Sequence, residues 1–255
     1  MIVFSELDQL RELVDDETLE KVQSTRDYVI RTETNDILMK FRWLDKTPVV
    51  LFMQDDHTTL WAANPAVREF ATGINGTGKE ELFEFLIVMS ANDLSHLEEL
   101  EDRVITLEDQ LFDNFDPNKT DFQDLHMLRK EVWRKKRYYE KMELLTDELM
   151  QQDDYFTFID KKFDKLFNYI LRTQEYLEHV REAYEAQIDI EQNKLMKFFT
   201  VITSIFLPLT LIAGWYGMNL QMPEFQWAHG YPVVIVLSVA IVGFMVYIFK
   251  KNKWL

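Results

Sequence analysis

The chain has 255 residues, 44 acidic and 28 basic, for a formal net charge of −16, and it contains no cysteine. The missing cysteine excludes a disulfide framework and thiolate metal sites, and the acidic balance disfavours nucleic acid, whose phosphates it would repel. Setting aside ~50 apolar C-terminal residues leaves about 200, enough for one compact soluble domain and a long helical element.

Residues 1–75 read as mixed α/β. Met1 to Glu6 lack the basic start and apolar core of a signal peptide, so the first domain is expected in the cytoplasm. Leu10, Leu13, Leu19 and Val22 recur at helical spacing within 7–22. Residues 28–34, 37–43 and 47–53 are rich in β-branched and aromatic side chains and read as strands. Residues 58–62 can form another, and Pro65 opens a short helix ending at Ala71.

From Lys79 the character is helical. Segments 80–112 and 121–150 are long, charged and amphipathic, and the turn at 113–119 makes them a helical hairpin. A third helix starts at Asp153 or Asp154, either of which can cap it. Its apolar residues Phe156, Ile159, Phe163, Leu166, Ile170, Leu177, Val180 and Tyr184, with Thr173 between, form a heptad seam. Proline and glycine are absent from it before Pro208, so it can run from 154 to 216, about 95 Å at ~1.5 Å per residue.

Phe198 to Tyr216 and Tyr231 to Phe249 are each free of full charges over 19 residues, about 28 Å of helix and close to the hydrocarbon thickness of a bilayer. Lys194 and Lys197 precede the first, Lys250, Lys251 and Lys253 come after the second, and the connecting turn has neither lysine nor arginine. That asymmetry places both termini in the cytoplasm and the turn outside, in a multi-pass protein of the cell membrane. The expected organisation is an α/β domain with helical hairpin (1–150), a stalk (151–197), a first span (198–216), an outer loop (217–230), a second span (231–249) and a basic cytoplasmic tail (250–255).

The 3-4 step of the stalk, carried towards the lipid, is read as reaching Asn193, Met196, Thr200, Thr203, Leu207, Thr210, Gly214 and Gly217. One face of an apolar helix is thereby polar, small or flexible. Such residues also serve ordinary close packing of membrane helices. A stripe continuous with the stalk seam, however, faces the axis of an oligomer if the stalk self-associates.

The run Phe206-Leu-Pro-Leu-Thr-Leu-Ile-Ala-Gly-Trp-Tyr-Gly-Met-Asn219, then Met222-Pro-Glu224, Gly230-Tyr-Pro232 and the terminal Lys-Lys-Asn-Lys-Trp-Leu resemble the CorA-type magnesium channels. The match is close from about Asn193 onward and architectural before it. The resemblance implies an α+β cytoplasmic domain, a long helical stalk and two C-terminal transmembrane helices. It implies that these assemble into a funnel-shaped homo-oligomer, a pentamer, whose long helix lines the pore. It implies that Asn193, Thr210 and Gly214 line the conduit, Met196 and Leu207 constrict it, and Phe199 competes with Thr200 as a further constriction. It also implies that cytoplasmic Mg2+ closes the channel through acidic residues between protomers. Asp55, Asp56, Glu98, Glu99, Asp153, Asp154 and Asp160 are candidates that no motif distinguishes.

The triplet Gly217-Met218-Asn219 suits magnesium chemically. Mg2+ dehydrates reluctantly, so a pore does better to bind its water shell than to strip it. A ring of Asn219 amide oxygens above Gly217 carbonyls offers neutral acceptors, able to select and still release. Gly217 permits a turn that a larger residue obstructs, Met218 packs it in place, and Glu224 either attracts ions or solvates the loop.

Residues 73–79 nearly spell a P-loop, but Glu80 stands where Mg2+ coordination needs Ser or Thr, and a helix precedes it. The five histidines are scattered without metal-ligand spacing, and no nucleophile–base arrangement points to an enzyme or a cofactor. The expected function is passive, potential-driven influx of hydrated Mg2+, which is both substrate and regulator. Alternatives are Zn2+ or Co2+/Ni2+ transport within the same superfamily, and a non-conducting membrane-anchored coiled-coil scaffold or sensor.

Overall fold

A computed structural model describes residues 1–14, 27–32, 34, 36–113, 121–218, 227, 229–252 and 254. Strands β1 (Ile2–Phe4), β2 (Tyr28–Arg31), β3 (Ile37–Arg42), β4 (Pro48–Met53) and β5 (Thr58–Ala62) form one sheet in the order β1-β5-β4-β3-β2. Strands β2 to β5 are an antiparallel meander, and β1 lies parallel to β5 with Val3 opposite Leu60. The central strands are covered on both faces, which is why 49–53 is apolar throughout rather than alternating. Leu38, Val50 and Phe52 pack with Leu10 on one face; Met39, Leu51 and Leu60 are fully buried on the other.

Strand β1 lies outside the expected strands. In the described part of the segment expected as a helix over 7–22, Leu7–Glu12 is a 3-10 segment; residues 15–26 lie outside the described ones. Helix α1 (Pro65–Ala71) starts as expected, with Pro65 in the first turn and the Asn64 side chain accepting from the Ala66 N–H at 3.0 Å.

The helix expected over 80–112 is two helices, α2 (Gly78–Met89) and α3 (Asp93–Asp113). Ser90 Oγ donates to the Leu86 carbonyl at 2.6 Å, and the Ala91 N–H turns to Val88, three residues back, before His96 resumes the ladder on Asn92. A serine hydroxyl competing for a helix carbonyl favours such a break. The P-loop look-alike becomes the start of α2: Thr77 and Glu80 close a capping box. Gly78 is backed against the Gln54 carbonyl so closely that a Cβ would collide with it.

Helices α4 (Asp121–Gln152) and α5 (Thr157–Tyr216) come next, the latter led in by a 3-10 turn whose cap is Asp153, accepting from the Tyr155 N–H. The chain divides into two compact units, Met1–Arg181 and Glu182–Leu255. In the first, α3 and α5 run parallel, since Glu101 accepts from Tyr169 and Glu108 from Tyr176. Helix α4 packs against both in the opposite sense, tied to α3 by Arg103–Glu131 (2.9 Å) and to α5 by Arg129–Glu178 (3.1 Å).

This packing corrects the role expected of the heptad seam. Phe156, Ile159, Phe163, Leu166, Ile170, Thr173, Leu177 and Val180 are all buried within one chain. The periodicity is real, but the residues filling it belong to the same fold, so the seam is not left free for other copies.

The second unit holds the rest of α5 and helix α6 (Gly230–Lys251). Both are long and apolar enough to cross a membrane, and 6% and 0% of their apolar windows are buried. A core helix of a soluble protein would be mostly covered.

Candidate functional site

In the apolar part of α5, the less exposed residues are Val201, Ser204, Ile205, Pro208, Leu209, Ile212 and Tyr216. On α6 they are Val234, Ser238, Ile241, Val242, Met245, Ile248 and Phe249. Each set recurs every three or four residues and so forms one stripe per helix, the pair of faces through which a helical hairpin packs. Pro208 sits on the covered stripe of α5 without ending the helix.

The residues expected to line a conduit lie elsewhere. Asn193, Met196, Thr200, Thr203, Leu207, Thr210, Gly214 and Gly217 are exposed, and Phe199 with them. At about 100° per residue they centre on the side of α5 opposite the covered stripe. They do not continue the line of Tyr184: nine residues separate Tyr184 from Asn193, about half a turn around the helix. The stripe is therefore a face of its own, on a helix whose other sides are apolar.

Its hydroxyls are oriented by the helix itself. Thr200 Oγ1 donates to the Met196 carbonyl at 2.7 Å, Thr203 to Phe199 at 2.7 Å and Thr210 to Phe206 at 2.9 Å. The proton of each hydroxyl is committed to the backbone, leaving oxygen lone pairs outward. Such a surface accepts hydrogen bonds, as the outer hydrogens of a hydrated cation require.

The two glycines differ in what they avoid. A Cβ at Gly214 would have nothing within 4 Å among the described residues, so none of them needs that position to be small. At Gly217 a Cβ would come within 2.9 Å of the Ala213 carbonyl, which also accepts the Gly217 N–H at 2.8 Å. Gly217 is thus required by a close backbone approach as α5 ends, and not by a left-handed φ. Met218 comes next, half-exposed, its N–H on the Trp215 carbonyl at 3.3 Å. Asn219 and Glu224 lie outside the described residues.

The candidate sensing carboxylates are scattered. Asp153 is occupied as a cap and by an ion pair with Lys79, which holds its carboxyl below the usual range. Asp160 belongs to a group that sequence reading did not assemble, with Glu143, Asp147 and Asp164 from facing turns of α4 and α5. Burial, then repulsion from Asp147, Asp164, Asp160 and Glu140, pushes the Glu143 carboxyl up; burial and then Asp147 and Asp164 do the same to Asp160. The signal was the four-residue spacing of 143/147 and 160/164, each putting two carboxylates on one helix face. Among the described residues, no three ligating side chains are close enough to hold one metal ion.

The family model described as "CorA-like Mg2+ transporter protein" matches residues 43–251. The chain is 31% identical over 169 residues to the cobalt/magnesium transport protein CorA of Thermotoga maritima, covering 62% of this chain and 48% of that protein. It is 41% identical over 100 residues to the magnesium transport protein CorA of Wolinella succinogenes, covering 39% and 31%. The matched stretches thus span about half the length of these relatives, or less. The CorA magnesium transporter structure from Methanocaldococcus jannaschii superposes with a TM-score of 0.74 over 98% of this chain and 88% of that one, at 18% identity. The structure of full-length CmaX gives 0.76 over 97% and 85%, at 15% identity. These two likenesses establish the fold: an α+β domain, a long helix and two apolar C-terminal helices.

Proposed function

The chain belongs to the CorA-like Mg2+ transporter protein family, and from that premise we propose that it conducts hydrated Mg2+ passively into the cell through a homo-oligomeric pore. Helices α5 and α6 cross the membrane, with both termini cytoplasmic. The stripe from Asn193 to Gly217 faces the axis shared by the copies, a pentamer in this reading, in a funnel-shaped assembly. Met196, Phe199 and Leu207 narrow the conduit, and Thr200, Thr203, Thr210 and Gly214 leave room for the water shell. Gly217, Met218 and Asn219 form the outer filter, with Glu224 attracting ions to it.

The observation that carries this reading is Gly214. It is a glycine in a membrane-length helix, with open space around it among the described residues, and collinear with three threonines whose outward lone pairs can take hydrogen bonds from a hydrated cation. A scaffold has no use for such a face. A Co2+ or Zn2+ cargo would use the same stripe.

The driving force is ample: an inside-negative potential supplies ~2.3 kcal/mol per charge per 100 mV, twice that for a divalent ion. Feedback by cytoplasmic Mg2+ belongs to the same proposal: the ion would be shared between copies, with ligands from a neighbouring copy completing what Glu143, Asp147, Asp160 and Asp164 do not supply alone, and its charge would relieve their repulsion. Mg2+ uptake into proteoliposomes at low internal Mg2+ tests the function. Uptake that rises with inside-negative potential supports it, and an impermeable, correctly folded protein overturns it.

A further inference from the structure

The first unit carries a cleft of about 640 Å3 between the β3–β4 turn and one face of α4, within the ~300–1,000 Å3 usual for small-ligand sites. Its walls are cationic in a chain whose net charge is −16. Arg42 and Lys141 line it but are already paired to Asp27, at 2.9 and 2.8 Å. Its single acidic wall residue, Glu131, is held by Arg103 at 2.9 Å. Lys46, Lys130, Arg134 and Arg137 also line it, and none of the four forms an ion pair among the described residues.

Two further features mark the cleft as built for an occupant. Lys46 has φ 68°, the one non-glycine residue among those described with a left-handed backbone. It closes the turn in which its N–H donates to the Trp43 carbonyl at 2.8 Å. Glycine or asparagine ordinarily fills such a position, so lysine is held there against its preference, a pattern associated with functional sites. Secondly, two indoles share the walls with the cations: Trp43 beside Lys46, and Trp133, which is 48% exposed, beside Arg134. Trp43 is half-buried, and Lys136 Nζ lies 5.9 Å from the centre of the Trp133 ring on one side, so each indole has part of its surface free next to these cations, which suits a ligand that is flat at one end and multiply anionic at the other.

We propose that this cleft binds a nucleoside triphosphate, its phosphates on Lys46, Lys130, Arg134 and Arg137 and its base on the indoles of Trp43 and Trp133. Lys130, Arg134 and Arg137 lie on one helix face over about 10 Å, a spread that serves a chain of phosphates better than a single anion. Guanidinium groups bind phosphate oxygens in pairs and add directionality. The site lies wholly in the first unit and is independent of the conduction reading.

The test is calorimetric titration of the full-length, detergent-solubilised protein with ATP, sodium tripolyphosphate and adenosine in low-salt buffer. ATP is expected to bind saturably, tripolyphosphate about tenfold more weakly, and adenosine not at all below about 1 mM. Lys130→Ala and Arg134→Ala each weaken ATP by about tenfold or more, and Trp133→Ala brings ATP down to the tripolyphosphate level. These side chains are exposed, so the variants keep the fold. Lys165→Ala, an exposed cation on α5 outside the cleft, leaves affinity unchanged. No saturable ATP binding below about 1 mM, tripolyphosphate as tight as ATP, or an equal loss in Lys165→Ala would each overturn the assignment.

Discussion

Tyr169 on α5 donates its hydroxyl proton to the Glu101 carboxylate on α3, and seven residues further along both helices Tyr176 does the same to Glu108. Two equal steps fix α3 and α5 as parallel and in register, beside a seam whose buried residues run from Phe156 to Val180. Burial first, then the bond to Glu101, lifts the Tyr169 phenol to about 12; the bond to Glu108 first, then burial, lifts Tyr176 to about 12.

Tyr169→Phe and Tyr176→Phe should each destabilise the first unit by about 1–2 kcal/mol, as a half-buried carboxylate loses its partner. Because the folded phenols titrate above the unfolded value, the wild-type advantage is complete below about pH 10 and fades as pH rises to 12. Denaturant melts of wild type and double variant across that range check the sign.

Asp27 behaves oppositely. Burial pushes its carboxyl up, but hydrogen bonds from Arg42 and Lys141 and their charges hold it below the usual value. Its contribution is complete above about pH 4 and is lost as pH falls through the lowered folded value. Asp27→Asn should cost about 1–2 kcal/mol at neutral pH, and the deficit should vanish in melts at the acid end.

Gly78→Ala should destabilise by about 2 kcal/mol or more, because its Cβ would meet the Gln54 carbonyl. Gly73→Ala, whose Cβ would approach nothing closer than 3.8 Å, should stay within about 0.5 kcal/mol. Thermal melts of the pair separate a packing requirement from a general cost of losing glycine.

How far these features were legible depends on the distance over which each is encoded. The apolar helices and the meander announce themselves in local composition, and α5 and α6 contain the two segments picked out at 198–216 and 231–249. Strand β1 has three residues and a partner 57 positions away, too short and too remote for any local pattern. The break at Ser90–Asn92 carries no proline or glycine and depends on one hydroxyl choosing a carbonyl. The seam on α5 was visible as a period, yet a period tells that a stripe is buried and not what buries it. The basic cleft joins residues 42–46 to 127–141, a pairing that only the fold reveals.

Gly214→Leu should leave the fold and stability of the isolated chain unchanged, since the described residues leave open space there, and should remove most of the Mg2+ flux. Gly243→Leu on α6 is equally open but lies off the stripe, and flux should persist. Loss in both would trace the effect to span packing rather than to a conduit.

The most direct measurement is Mg2+ influx into proteoliposomes under an inside-negative potential, comparing wild type with Asn219→Ala in matched preparations. If a ring of Asn219 amides engages the hydrated ion, flux in wild type should collapse in the variant. Equal flux in the two proteins would contradict this, moving selection away from Gly217, Met218 and Asn219.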